Sequence, residues 1–218
     1  INPAAVATVT LDRPDRLNAL NAAIVDELRS AVENLPASGA RCLLITGGGR
    51  GFSSGADLGD GAGGLPDDAG VALEKHFNPL VEALFTLKIP VVAAVNGPAA
   101  GAGASLALCA DLVIAGRSAY FLQAFVNIGL IPDAGATWLL PRLAGRARAL
   151  EMMMLGERIS SEQALEWGLI ARVVDDAFLM EEAVALATRL AQGPTVALGL
   201  IRRLAREAGH LPLADALA

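Results

Sequence analysis

The stretch "IPVVAAVNGPAAGAGASLALCADLVIAG", residues 89–116, constrains the fold of this chain more than any other. From Ile89 to Ala110 it carries no formal charge, and with Gly97 and Gly101 in G-x-x-x-G spacing it imitates a membrane span. Asn96-Gly97-Pro98 breaks the imitation, because that tripeptide is a turn signal in the middle of the apolar run. The stretch then reads as a buried strand "PVVAAV", a turn, a helix of small residues "GAGASLALCA" and a second buried strand "DLVIAG". Strands that are apolar throughout need a layer on each face, so the segment calls for an α/β layered domain.

The rest of the chain supplies the layers. "AVATVTLDRP" alternates and is β-branched before Pro14, which predicts a strand. Asn21 can cap a helix running to about Leu35, with Ile24, Leu28 and Leu35 on its apolar side. "RCLLITG" predicts a strand covered on both faces, and "VALEKHFNPLVEALFTLK" a helix anchored by Leu73, Phe77, Leu80, Leu84 and Leu87. Between them the glycine-rich, acidic residues 59–70 are expected to form a mobile surface segment. After Asp133 the pattern becomes helical over 135–143, 146–155, 160–167, 176–191 and 194–208, with Ser160 and Gln163 as a capping box and one strand at "LIARVV". The expected division is an α/β core over 1–143 and a helical C-terminal region over 144–218.

Composition narrows the function. Among 218 residues 54% are hydrophobic and 18% charged, with a mean hydropathy of +0.48, so much surface is expected to be buried, some of it between subunits. The net charge of −6, with scattered Lys and Arg, argues against nucleic acid as a partner. The N-terminus lacks a basic region followed by an apolar run and a cleavage site, and no membrane partner is expected; a cytoplasmic location is. A chain starting at Ile1 also suggests further N-terminal sequence. Cys42 and Cys109 read as buried thiols, and with His76 and His210 they form no metal-ligand pattern, so no metal is expected.

Three glycine-rich motifs compete for chemistry. "TGGGRGFSSGADL" lacks the lysine of a phosphate loop, and "GAGAS" has Leu106 where a dinucleotide fingerprint places its third glycine. "GFSSG" matches G-x-S-x-G with Ser53 as nucleophile. A nucleophile elbow, however, needs a strand directly before the turn and a helix directly after it, which "GGGR" and "ADLGDGAGG" do not provide. The remaining reading is a pair of backbone donors: the Gly55-Ala56 turn, and the start of the helix near Gly101, whose first N–H groups have no intrahelical partner. Two such donors converging on one oxygen make an oxyanion hole. Asp133, in "GLIPDAGATWLLPR", fits either an N-cap of the helix starting near Gly135 or a proton-transferring group.

Together "DRPDRLNAL", "LLITGGGRGFSSGADL", "PVVAAVNGPAAGAGASLALCADLVIAG" and "IGLIPDAGATWLLPRLAGRARALEMMMLGERISSEQALEWGLIARVV" resemble the enoyl-CoA hydratase/isomerase (crotonase) family, from about residue 6 to residue 208. The resemblance implies a spiral of ββα units with a helical C-terminal region, assembly as a homotrimer or dimer of trimers, and an acyl-CoA thioester substrate whose coenzyme A takes the place of any separate cofactor. It places the oxyanion amides on Ala56 and Ala102, and it implies that family members continue beyond Ala218. Family hydratases use two glutamates, and their positions here hold Ser105 and Phe125. Neither side chain does acid–base work near neutral pH, so ordinary two-glutamate hydration is not expected.

Asp133 matches the base of the branch that shifts double bonds or rearranges ring-epoxide thioesters in fatty-acid or phenylacetate catabolism, and Phe77-Asn78-Pro79-Leu80 and "EWGLI" strengthen that match. The expected site is Asp133 as base, with Arg16, Ser54, Asp57, Leu58, Phe125 and Ile131 against the substrate. Leu130 and Trp138 are further expected apolar neighbours of the acid, and Arg13 joins Arg16 as a candidate for the CoA phosphates. Asp57 and Asp111 also suit structural roles at loop amides, Ser105 a bond to a backbone carbonyl, and His76 a boundary position. Alternatives on the same fold are a hydratase, an aryl-CoA dehalogenase that attacks through an aspartate with a histidine partner, and a CoA-thioester-binding subunit without turnover.

Overall fold

A computed structural model describes residues 1–59, 69–209 and 211–216 of the chain. Of the expected mobile segment, residues 60–68 lie outside the described residues. Five parallel strands form the main sheet in the order β1 (Val6–Leu11), β2 (Cys42–Gly47), β3 (Val91–Val95), β5 (Leu112–Gly116) and β8 (Arg172–Val174). The continuous apolar runs of β2 and β3 are buried on both faces because the side-chain period of two sends alternate residues to different layers. Leu43, Ile45, Val91, Ala93 and Val95 join one apolar cluster with the helices α1 (Ala22–Ser38), α3 (Asn78–Thr86) and α4 (Ala102–Leu108). Cys42, Leu44, Val92, Ala94 and Ile114 face Leu179, Ala183, Ala187 and Ala191 of α8 (Leu179–Gln192).

The helices follow the predicted periods with local departures. Asn21 caps α1, its side-chain oxygen accepting from the Ile24 N–H at 3.0 Å. The helix runs past Leu35 and through Pro36 to Ser38, where Gly39 ends it in the left-handed region. Ile24 is only half-buried, and Val25 and Val32 join Leu28 and Leu35 in the buried stripe. The helix predicted across 71–88 is broken into the turn α2 (Ala69–Ala72), a widened π turn over Leu73–Phe77, and α3. Pro79 has no N–H for a bond back to residue 75, and the π turn lets the chain pass it, with Asn78 N–H donating to the Leu73 carbonyl instead. Phe77, Leu80, Leu84 and Leu87 are buried as expected.

A second sheet was not visible in the sequence. Its strands β4 (Pro98–Ala100), β6 (Tyr120–Leu122) and β7 (Arg158–Ser160) are three residues each, too short for a period to register. β4 pairs parallel with β6, and β6 antiparallel with β7. The run that imitated a membrane span thus folds as β3, β4 and α4, the last wholly buried. Among the described residues no single helix is long and apolar enough to cross a membrane.

After Asp133 come α5 (Ala136–Leu143), α6 (Gly145–Leu155), α7 (Ser161–Glu166), then β8, α8, α9 (Thr195–Ala208) and the short α10 (Leu213–Ala216). Ser160 caps α7 by accepting from the Gln163 N–H at 3.1 Å. Buried Arg202 fixes α9 to the body: its guanidinium donates to Asp111 and to the carbonyls of Leu84, Phe85 and Leu87, while Arg206 also reaches Asp111 at 2.9 Å.

Candidate active site

The site begins with two turns that the chain zips together. Ser53 and Ala99 form a parallel bridge, with Ser53 N–H donating to the Pro98 carbonyl at 3.1 Å and Ala100 N–H to the Ser53 carbonyl at 2.9 Å. Continuing both chains in that register brings Gly55-Ala56 beside Gly101-Ala102. The approach is close enough that a Cβ on Gly55 would lie 2.7 Å from the Ala100 carbonyl oxygen and 3.3 Å from the Ala102 nitrogen. Gly55 also has φ of +94°, open to glycine and costly for other residues. A Cβ on Gly103 would meet the Ser53 carbonyl oxygen at 2.6 Å, so the start of α4 rests on the first turn by backbone contact.

The amide directions follow from the pairing. Leu20 and Ala56 form a second parallel bridge, in which Leu20 N–H donates to Gly55 and Asp57 N–H to Leu20. The bridged residue of a parallel pair turns its own N–H to the opposite side, here away from Leu20. Neither the Ala56 nor the Ala102 N–H donates a hydrogen bond among the described residues. Two adjacent, unengaged backbone donors are what a thioester oxygen needs if negative charge is to build on it.

Two asparagines hold the glycine loop that leads into the first turn; the sequence marked Asn96 only as part of a turn signal and did not mark Asn18. Asn18 is fully buried with φ of +56°. Its Oδ1 accepts from Arg13 N–H at 2.8 Å, and its Nδ2 donates to the Gly48 and Gly51 carbonyls at 2.9 and 2.8 Å. Asn96 accepts from Gly47 N–H at 3.2 Å and donates to the carbonyls of Gly49 and Gly51 at 3.0 and 3.2 Å. The signal available was an asparagine inside an apolar run, "RLNAL", where an amide earns a buried place only by satisfying several backbone groups.

Ser53 belongs to the same scaffold. It is fully buried, donates to the Asn18 carbonyl at 2.8 Å and accepts from Gly55 N–H at 3.2 Å, and residues 54–59 directly after it are not helical. Its hydroxyl is a turn constraint, and the elbow geometry of a serine nucleophile is absent from the described residues.

Asp133 does not cap α5. The cap position is Gly135 in the left-handed region, without a side-chain bond, and only the Asp133 backbone carbonyl is used, accepting from Ala136 N–H at 2.9 Å. The side chain is half-buried, and its Oδ1 is buried with no hydrogen-bond partner. Burial disfavours the charged form and pushes the carboxyl up to about 6. The turn that presents it is strained, since buried Ala134 has φ of +47° directly before Gly135 at +83°. Ser105, also fully buried, bonds backbone carbonyls as the sequence suggested, with Oγ 3.3 Å from both the Gly101 and the Asp133 oxygens.

The other expected residues distribute unevenly. Phe125 is buried, and its ring would meet a Cβ on Gly101 at 3.7 Å, so it walls the second turn. Leu58 is exposed beside the first turn, as are Ser54, whose hydroxyl donates to the Arg16 carbonyl at 3.2 Å, and Arg16 itself. Asp57 accepts a charge-assisted hydrogen bond from Arg13, which holds its carboxyl below the usual range with help from Gly59 N–H. Arg13 is therefore already engaged by a carboxylate. Ile131, expected to wall the acid, is 83% exposed. Trp138 packs edge-on to Phe85 at 5.4 Å and lines a cavity of about 630 Å³ along α9 that Asp133, Ala56, Ala102 and the expected substrate-contacting residues do not border. His76 is turned to α1, with Nδ1 2.9 Å from Asp26 Oδ1; His210 lies outside the described residues. The described residues contain no group of three or more His, Cys, Asp or Glu placed to hold a metal ion.

Comparison with known proteins identifies the family. The family profile for enoyl-CoA hydratase/isomerase matches residues 2–217. The chain is 52% identical over 202 residues to 1,2-epoxyphenylacetyl-CoA isomerase of Escherichia coli K12, spanning 91% of this chain and 77% of that protein. It is 36% identical over 214 residues to the mitochondrial enoyl-CoA hydratase of Pongo abelii, spanning 96% and 72%. The enoyl-CoA hydratase of Bacillus anthracis, solved by crystallography, superposes with a TM-score of 0.92 at 32% identity over 98% of this chain and 83% of that one. The chain belongs to the enoyl-CoA hydratase/isomerase (crotonase) family and has its α/β fold.

Proposed function

We propose that this family member is an acyl-CoA isomerase that moves a double bond by a 1,3-proton shift with Asp133 as its single base. The observation that carries the reading is the contrast between three positions. Ser105 and Phe125 stand where the family's hydratases hold their two glutamates, while Asp133 keeps a buried oxygen without a partner and a pKa near 6. Hydration needs one group to activate water and another to manage the α-proton. An isomerisation needs one, because the proton removed is the proton returned.

In the proposed reaction the thioester carbonyl sits between the N–H groups of Ala56 and Ala102. Asp133 removes the α-proton, the electron pair moves into the carbonyl to give an enolate held by the two amides, and the protonated Asp133 then delivers the proton to the γ-carbon. A donor of this kind is worth about 3–4 kcal/mol of barrier. A carboxyl near pKa 6 suits the work better than one near 4, since it is a stronger base yet still ionised at neutral pH. Phe125 walls the acyl group, Leu58, Ser54 and Ile131 line the approach, Arg16 meets the coenzyme A phosphates, and Asp57 keeps the first turn in place through Arg13. Coenzyme A arrives with the substrate, and the shift requires no further group.

The likeness to an epoxyphenylacetyl-CoA isomerase extends the proposal to ring-epoxide thioesters, and with them to phenylacetate catabolism in the cytoplasm. A trimer is the proposed assembly. Incubation with 3-enoyl-CoA and separately with 2-enoyl-CoA tests the reading. Conjugation is followed by ultraviolet absorbance and the 3-hydroxyacyl product by chromatography. Migration without hydration is the expected result, and robust hydration contradicts it.

A further inference from the structure

We propose that Ser105 is a positioning residue: its hydroxyl ties the turn carrying Asp133 to the turn carrying the Ala102 amide, and so fixes the base relative to the oxyanion donors. The proposal rests on the single-base reading above and adds to it.

The Ser105 hydroxyl has one proton and two carbonyl oxygens at the same distance, Gly101 and Asp133, each 3.3 Å away. The two carbonyls come from the two parts of the site. Gly101 directly precedes Ala102, and its carbonyl also accepts Ser105 N–H at 3.1 Å, so Ser105 is fixed to the second turn through its backbone. The Asp133 carbonyl belongs to a segment without regular structure that runs into two successive left-handed residues, Ala134 and Gly135. A non-glycine residue at positive φ persists only where its surroundings hold it. The Asp133 side chain contributes nothing to that holding through Oδ1, which has no partner. Among the described side chains, the Ser105 hydroxyl is the one that hydrogen-bonds the Asp133 backbone.

The chemistry makes this placement matter. A base and a pair of oxyanion donors must meet the same substrate at once, and small misplacement of one against the other costs large factors in rate. Ser105 is too deeply buried to serve by meeting solvent or substrate, and its hydroxyl acts through the Asp133 backbone, so its effect belongs on the chemical step and not on binding.

Ser105→Ala is the first test, with Asp133→Asn and Ser105→Thr measured beside it on 3-enoyl-CoA. The expected result for Ser105→Ala is a fall in kcat of about tenfold or more with KM within about twofold, and a displaced midpoint in the pH profile of kcat. Ser105→Thr, which restores the hydroxyl, is expected to recover most of kcat. Where Thr proves insoluble, Ser105→Cys, with nearly the volume of serine and a weak S–H donor, should fall between Ser105→Ala and the parent. Unchanged kcat in Ser105→Ala, an effect confined to KM, or a hydroxyl variant no better than alanine overturns the proposal. The underlying reading fails separately: an active Asp133→Asn removes the base, whereas an inactive Asp133→Asn beside a fully active Ser105→Ala removes only the positioning role.

Discussion

Ser53 and Ala99 are paired in a parallel bridge, and the same step forward along each chain leads from them to Ala56 and Ala102, whose amides have no partner among the described residues. The candidate oxyanion hole is thus a consequence of strand register: the bridge sets the two turns side by side and leaves both amides unused.

Adding a methyl group at either backbone contact should disturb that register. Gly103→Ala places a Cβ 2.6 Å from the Ser53 carbonyl, and Gly55→Ala places one 2.7 Å from Ala100 at a φ of +94°. Each substitution is expected to lower kcat by about 100-fold or more, as loss of one oxyanion donor does, and to cost about 1–3 kcal/mol of stability. Steady-state kinetics and thermal melts on the purified variants check both; parent-like kcat in either would mean that the turns tolerate separation.

The buried Asp133 gives a pH signature with a definite sign. Its folded pKa of about 6 lies above the ordinary value of 3.8, so between these the folded chain binds more protons than the unfolded one. Its contribution to stability is fully present below pH 4 and is lost as the pH rises through 6. Asp133→Asn, which cannot ionise, should therefore be more stable than the parent at pH 7 to 8, by about 1–3 kcal/mol after allowance for partial exposure, and show no gain at pH 4. Denaturant melts at both pH values measure it. In the parent, kcat should rise with pH around a midpoint near 6 as the base ionises.

Asn18 ties the glycine loop to Arg13 through three hydrogen bonds, two of them to Gly48 and Gly51, while sitting at a positive φ. Asn18→Ala leaves Arg13 N–H and the carbonyls of Gly48 and Gly51 without those partners and should cost about 2–4 kcal/mol. Asn18→Asp keeps the acceptor and loses the donor, and is expected in between. Chemical denaturation of the three proteins gives the order.

The Arg202–Asp111 pair joins α9 to the sheet, with Asp111 also accepting the Val91 N–H at 2.8 Å. Arg202→Ala leaves the carbonyls of Leu84, Phe85 and Leu87 without the guanidinium that donates to them, while Asp111 keeps Arg206, so it should destabilise by about 2–4 kcal/mol. Arg203→Ala, at an exposed position on the same helix, should change stability by less than about 0.5 kcal/mol. Melting the two side by side separates the clamp from a general effect on α9.

Much of the fold could be read in the chain because its signals are of the strong kind. The apolar runs of β2 and β3, the Asn21 cap and the spacing of Phe77, Leu80 and Leu84 each have a direct physical cause and were found in place. The small sheet was hidden, since β4, β6 and β7 are three residues long and their pairing is non-local. In the site, the glycines of both turns were legible as close approaches, but Asn18 was not and Asn96 was legible only as a turn residue, because a side-chain amide that holds a loop announces itself only through the backbone groups it meets. Asp133 was ambiguous in sequence since Asp before a helix is a common cap. The left-handed Ala134-Gly135 turn, which nothing in "PDAGAT" dictates, is what denies it that role. The exposure of Ile131 and the packing of Trp138 on Phe85 were not legible for the same reason: the direction a side chain takes out of an irregular turn is set by the tertiary packing around it.

The most direct measurement of the central claim is the conversion of 3-enoyl-CoA to its conjugated isomer by the parent chain and by Asp133→Asn, followed by ultraviolet absorbance at pH 7.5 with the hydration product quantified alongside. Migration without hydration is expected in the parent, with a loss of about 1,000-fold or more in the variant, since the single base is gone. Equal migration in both proteins would contradict that claim.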